Sequence, residues 1–269
     1  MSTLCLTLRE APRQRVDLAP LTAEPLAGKT LDAIARIEVT SGNRRLTLGS
    51  LFTIEGGTDG DLELRNCCDR LDGIGTGLGS GRLLIYGDAG AYLGRDMTGG
   101  TILAAGNAGA YAGSGMQGGM IQVGGNAGDF AGGAIPGDHH GMRGGTLLIC
   151  GNAGDRAGDR MRRGTLLIEG NAGDYLASRM VAGTIAVLGT VGKLPGYAMR
   201  RGTILLLTPS DVPATFNNCG VFPLTFLTLL MRSWKNLPGR FASLPDSTRV
   251  QRFMGDIASD GRGEILMLQ

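Results

Sequence analysis

Gly145-Thr-Leu-Leu-Ile-Cys-Gly-Asn152-Ala-Gly returns nineteen residues later as Gly164-Thr-Leu-Leu-Ile-Glu-Gly-Asn171-Ala-Gly. It is also present upstream as Gly100-Thr-Ile-Leu-Ala-Ala-Gly-Asn107-Ala-Gly, and the same frame fits residues 81–90, 119–128 and 183–192, with Asp88 or Thr190 in the asparagine place of the first and last. The glycine ahead of that place falls at Gly87, Gly106, Gly125, Gly151, Gly170 and Gly189, in steps of 19, 19, 26, 19 and 19. A methionine keeps the same time at Met97, Met116, Met142, Met161, Met180 and Met199. Each unit holds one run of strand-forming residues, then Gly-Asn-Ala-Gly, then small residues and the methionine. The run predicts a strand, and Gly-Asn predicts a turn with positive backbone φ. No unit contains a ten-residue stretch of 3.6 period, so a helix per unit is not expected. A unit this short cannot bury its own apolar face and must stack on its neighbours, which describes a parallel β-solenoid.

Stacking predicts columns of like residues at the strand spacing of about 4.8 Å. Leu147, Leu166, Ile185 and Ile204 should form one column and the timed methionines a second. Asn107, Asn126, Asn152 and Asn171 should form a third, with side-chain amides bonding along the axis. A leucine-rich repeat is excluded by its different signature and its length of 20 to 29 residues.

The composition agrees. Of 47 glycines in 269 residues, 36 lie between Gly73 and Gly202, whereas the other 11 are near ordinary usage. No strict Gly-X-Y period exists, which excludes collagen, and apolar residues recur between the glycines, which excludes a disordered linker. A formal net charge of +2 and a pI near 8.3 exert no strong pull on nucleic acid or anionic membrane. Lysine is scarce, at Lys29, Lys193 and Lys235 against 23 arginines, which points away from hyperthermophile composition. Five cysteines without a CxxC read as reduced thiols, and the longest apolar run, residues 221–231, is about half a membrane span. A cytoplasmic protein is expected.

The organisation expected is a leading strand and cap over residues 1–30, the solenoid over 31–207, and an extension over 208–269. That extension should carry an apolar segment at 221–234, a short helix at 247–258 capped by Asp246, and a last strand at 264–268. Both ends then serve as caps against edge-to-edge aggregation.

Chemistry is sparse. Asp138-His139-His140 lies in the one long break in the period. Adjacent residues seldom point into one site and the chain has no third histidine, so this loop reads as a partner contact rather than a metal or proton-transfer site. Cys67-Cys68 lacks the other ligands of an iron–sulfur motif. Gly73-Ile-Gly-Thr-Gly-Leu-Gly79 does not run from a clean strand into a helix, so it is not a dinucleotide loop. Asp129, Asp155 and Asp174 repeat like the carboxylates of a solenoid hydrolase, but at the turn after Asn-Ala-Gly, which is turn chemistry. No catalytic, cofactor-binding or metal-binding residue is assigned. One feature is not demanded by folding: Arg143, Arg162 and Arg200 follow three of the timed methionines, with Arg163 and Arg201 beside two of them. Such a ridge suits an interface that grips carboxylates, or equally a solvated edge that blocks strand addition. Asp138, His139, His140, Arg143, Arg162 and Arg200 are the candidate partner-facing residues.

The Gly-Asn-Ala-Gly units closed by Met-x-x-Gly, with Met254-Gly-Asp256 and Gly263-Glu-Ile-Leu266 in the tail, resemble the C subunit of formylmethanofuran dehydrogenase and its counterpart in the bacterial formyltransferase/hydrolase complex. A related repeat closes the large subunit of glutamate synthase. The resemblance implies an all-β chain forming a right-handed parallel β-helix of about 19-residue coils, with a capping N-terminal segment and a short helical C-terminal tail. It implies a non-catalytic structural subunit. Its partners would be a formyltransferase subunit, an amidohydrolase-like subunit and a dehydrogenase-like subunit. Together they would move a formyl group from formyl-tetrahydromethanopterin to methanofuran or an analogue and release formate. The alternatives are a molybdenum- or tungsten-dependent formylmethanofuran dehydrogenase, whose cofactors lie in other subunits, and an enzyme with its own site along the solenoid groove. The low lysine content favours the bacterial hydrolase.

Overall fold

Thr146, Thr165, Thr184 and Thr203 stand side by side on four consecutive parallel strands, each nineteen residues beyond the last. A computed structural model describes residues 3–22, 26–245 and 249–269. Among them, thirteen strands form one sheet. From Leu4–Leu8 through Leu62–Cys67, Arg82–Gly87, Thr101–Ala104, Met120–Val123, Arg143–Ile149, Arg163–Ile168, Thr184–Val187 and Thr203–Leu206 to Gly263–Leu268, every pairing is parallel. Antiparallel strands finish both ends: Phe52–Gly56 beyond Leu4–Leu8, and Arg249–Gly255 then Asn217–Pro223 beyond Gly263–Leu268. The chain is thus mostly β, with a few short helices. The 26-residue step that carries His139 leaves the register intact, since Met120 pairs with Thr146.

Pairing continues past the strands. Ala89, Ala108, Ala127, Ala153, Ala172 and Val191 form a second row of parallel bridges. The N–H of Gln117 donates to the carbonyl of Met97 and that of Arg200 to Met180, so even the segment after each methionine bonds to the preceding unit. The expected columns are present. Leu147, Leu166, Ile185 and Ile204 are in register and buried, and all six timed methionines are fully buried.

The outer face of the sheet explains a change in burial along the chain. Met120–Val123 alternates half-buried and buried, whereas Ile185 to Val187 and Ile204 to Leu206 are buried at every residue. Helix Phe226–Trp234 and Phe241 lie over the latter, enclosing Leu148, Leu167, Ala186, Leu205 and Leu266 in a second apolar cluster.

Two expectations fail. Residues 249–255 form a strand rather than a helix, because Gly263–Leu268 offers a ladder on one side and Asn217–Pro223 on the other. Val250 alternates inward into the second cluster, and pairing overrides helical propensity. Only Ile257–Ser259 turns helically, capped by Asp256, whose Oδ1 accepts the N–H of Ala258 at 3.1 Å. The expected cap Asp246 lies outside the described residues. The apolar segment 221–234 divides into the end of a strand and helix Phe226–Trp234.

The second failure concerns φ. The repeat asparagines do not have positive φ, nor do the glycines before them from Gly106 onward. Those glycines are needed for closeness: a Cβ on Gly170 would collide with Oδ1 of Asn152 and the carbonyl of Gly151. Positive φ falls instead on Tyr92, Tyr111, Phe130, Arg156 and Tyr175. Each such residue costs on the order of 1–2 kcal/mol. Part of that is offset by stacking, with Tyr92 and Tyr111 ring centres 5.3 Å apart and Tyr111 and Phe130 5.0 Å apart.

Candidate partner-binding face

Asp159 is a buried and closely held carboxylate. It is 2% exposed, and its Oδ1 accepts Ser178 Oγ at 2.5 Å and Arg179 Nη2 and Nε at 2.8 and 3.1 Å. Arg160 approaches its other oxygen at 3.9 Å. Arg160 also reaches into the inserted loop, donating to the carbonyl of Asp138 at 3.1 Å. Arg160 therefore fixes the base of that loop, its carbonyl also accepting the N–H of Gly141 at 3.0 Å.

His140 lies half-buried on this base, its Nε2 3.2 Å from Arg162 Nη1. A guanidinium has only donors, so the ring accepts and is neutral. Desolvation, then the charges of Arg162 and Arg143, lower its pKa from 6.5. Its Nδ1 is buried without a hydrogen-bond partner among the described residues.

His139, His140 and Arg200 line a hollow of about 510 Å³ with Arg160, Arg179 and Ser259. Arg162 and Arg163 on one bank, Arg200 and Arg201 on the other, and Val181 and Ala182 between them line a slot of about 290 Å³. Asp138 faces a separate hollow beside Tyr111 and Phe130, and Arg143 is exposed outside all three. The structure thus gathers four of the six sequence-derived residues. Sequence reading missed Asp159, Ser178, Ser259 and Arg262. The first two sit nineteen residues apart, a spacing that could have paired them. The last two arrive only because the tail returns, the N–H of Arg262 donating to the carbonyl of Arg200 at 2.7 Å.

The other chemical motifs are absorbed by the fold. Oδ1 of Asp129 accepts the N–H of Asp155 at 2.9 Å, Asp155 that of Asp174 at 2.8 Å, and Asp174 that of Lys193 at 2.7 Å. Left-handed Gly73, Gly75 and Gly77 occupy the turn places later held by Tyr92, Gly94 and Asp96, and a strand follows them. Cys67 is buried and its thiol is pushed up to about 12, chiefly by desolvation. Among the described residues, no three His, Cys, Asp or Glu side chains converge as a metal site, and no helix is long and apolar enough to cross a membrane.

Comparison with known proteins places this geometry. Residues 132–221 match the model of the GXGXG motif family. The chain is 31% identical over 96 residues to the C subunit of a tungsten-containing formylmethanofuran dehydrogenase 2 of Methanococcus maripaludis, covering 35% of each chain. It is 32% identical over 99 residues to that of Methanothermobacter thermautotrophicus, covering 35% of this chain and 37% of the relative. The match thus spans about a third of the curated relatives. A chain in the crystal structure of the formyltransferase/hydrolase complex (FhcABCD) from Methylorubrum extorquens, determined with methylofuran, is 41% identical, with a TM-score of 0.92 and 98% of each chain covered. On that full-length similarity, the chain belongs to the family of C subunits of the formyltransferase/hydrolase and formylmethanofuran dehydrogenase complexes.

Proposed function

We propose that this chain is a structural subunit of a cytoplasmic formyltransferase/hydrolase complex, wound as a right-handed parallel β-helix and carrying neither an active site nor a cofactor of its own. Its partners are the formyltransferase, amidohydrolase-like and dehydrogenase-like subunits. Those subunits transfer a formyl group from formyl-tetrahydromethanopterin to methanofuran or an analogue and release formate. The observation that carries this reading is the full-length likeness to a chain of the Methylorubrum extorquens complex. The winding is supported by the nineteen-residue register and by bonding of each unit to the next over its strand, its Asn-Ala turn and its post-methionine segment. The absence of chemistry of its own is supported by the repeat carboxylates, whose Oδ1 atoms accept backbone N–H groups. The face bearing His139, His140, Arg162 and Arg200 is the surface offered to a partner.

The tungsten dehydrogenase is the second reading, because the curated relatives carry that description. The longer and closer match favours the hydrolase. Native mass spectrometry of material purified through this chain tests the choice. The proposal expects a hetero-oligomer with three further subunit types and no tungsten or molybdenum in the assembly. A homogeneous assembly of this chain alone would overturn it.

A further inference from the structure

We infer that the slot between Arg162-Arg163 and Arg200-Arg201 is the seat of an extended, aspartate- and glutamate-rich segment of a partner protein; the inference rests on the subunit reading above. The first observation is positional. In the parallel register, the two residues after the buried methionine are Thr98-Gly99, Gln117-Gly118, Arg143-Gly144, Arg162-Arg163, Val181-Ala182 and Arg200-Arg201. The same backbone accepts neutral residues in the early units, so the fold does not require arginine there. Paired arginines occur on only two units, with a small apolar pair between them.

The second observation is that these guanidinium groups meet no carboxylate among the described residues, Arg162 touching only the neutral ring of His140. Among the described residues, Arg162, Arg163, Arg200, Arg201 and Arg262 are exposed and make no ion pair. Nearby, Arg179 shows what an internal partner looks like, with Asp159 held at 2.8 Å. Asp260 is the carboxylate on the tail side, where it lines a further hollow of about 430 Å³ with Arg200, Arg201 and Arg262. The basic surface therefore continues from the slot onto the last parallel unit.

The third observation is spacing. The two arginine banks are two strands apart, roughly 10 Å at the sheet spacing. Carboxylates three residues apart on an extended chain of polyproline II geometry lie on one face about 9 Å apart, close to the same distance. Their methylene groups would lie on Val181 and Ala182 while each carboxylate takes a forked guanidinium pair. A nucleic acid would need phosphate-binding cations over a longer track, and the early units supply Thr98 and Gln117 instead.

The test uses the full chain and a fluorescein-labelled oligo-aspartate of about ten residues, read by anisotropy, with oligo-asparagine as control. Expected are saturable binding of the acidic peptide alone and an affinity that falls on the order of tenfold as salt rises from about 50 to about 300 mM. Arg162→Gln/Arg200→Gln should weaken binding about tenfold or more, and Arg163→Gln/Arg201→Gln likewise. Arg44→Gln, exposed and remote from the slot, should bind as wild type. Absence of binding, equal binding by the double variants, or full displacement by an equal concentration of inorganic phosphate would each overturn the inference. If the peptide fails to bind while native mass spectrometry still finds the partner subunits, the seat is refuted and the subunit reading stands. If the partner subunits are absent, the subunit reading itself fails.

Discussion

Oδ1 of Asn152 accepts the backbone N–H of Asn171 at 2.8 Å, one unit along the stack. The same bond joins Asn107 to Asn126 and Asn126 to Asn152 across the 26-residue step, each at 2.8 Å. Asn171 passes it on to the N–H of Thr190, and Asp88 starts the series by accepting from Asn107 at 2.7 Å. The requirement at this place is a short side-chain acceptor. Asn152→Ala should therefore destabilise the chain by about 1 kcal/mol, and Asn152→Asp by much less. Denaturant titration of the two variants should separate them, and equal losses would show that the acceptor is not what matters.

Met161 is fully buried, and its Cε lies 3.0 Å from where a Cβ on Gly183 would stand. Met161→Ala should cost about 2–5 kcal/mol through the cavity it leaves. Met161→Leu, of similar volume, should cost less than about 1.5 kcal/mol. Thermal unfolding followed by circular dichroism measures both.

The Asp159–Arg179 pair is asymmetric, with side chains 3% and 40% exposed. Removing the arginine leaves a buried carboxylate with only Ser178 and the more distant Arg160, whereas removing the carboxylate leaves an arginine that water can reach. Arg179→Gln should cost about 2–3 kcal/mol and Asp159→Asn about 1 kcal/mol. The order of the two losses in urea is the observable, and the reverse order would contradict this account.

His140 has a folded-state pKa below 6.5 because it is desolvated and surrounded by Arg162, Arg143, His139 and Arg160. The unfolded chain binds the proton more readily, so the loop contact contributes its full stability above about pH 6.5 and loses it as pH falls from there through the folded value. Proton NMR titration should give His140 a midpoint below 6.5, and Arg162→Ala should raise it. A midpoint at or above 6.5 would refute the arrangement.

Cys67, with its thiol raised to about 12, holds almost no thiolate at neutral pH. It should resist iodoacetamide in the native chain while exposed Cys219 is modified. Peptide mapping after a brief pulse shows which has reacted.

How much was legible in advance follows from what each residue answers to. The methionine and Leu147 columns were readable because one side chain repeats where one neighbour repeats. The positive φ of Tyr92 and Tyr111 was not, since it is set by bonds to adjacent units, such as the Tyr92 N–H to the Ala110 carbonyl at 2.9 Å. The strand at 249–255 was hidden for a related reason: its partners, residues 217–223 and 263–268, have no repeat to announce them. The arginine face was half visible. Arg162 and Arg200 stood out by period, but the Val181-Ala182 floor between them and Ser259 beside them acquire meaning only in three dimensions.

Formate release from formyl-tetrahydromethanopterin, with methanofuran or its analogue supplied as the formyl acceptor, should be measured for the isolated chain, for the remaining subunits without it, and for the reconstituted assembly. A scaffold gives no turnover alone and full turnover only in the assembly. Formate produced by the isolated chain, or undiminished turnover without it, would contradict that role.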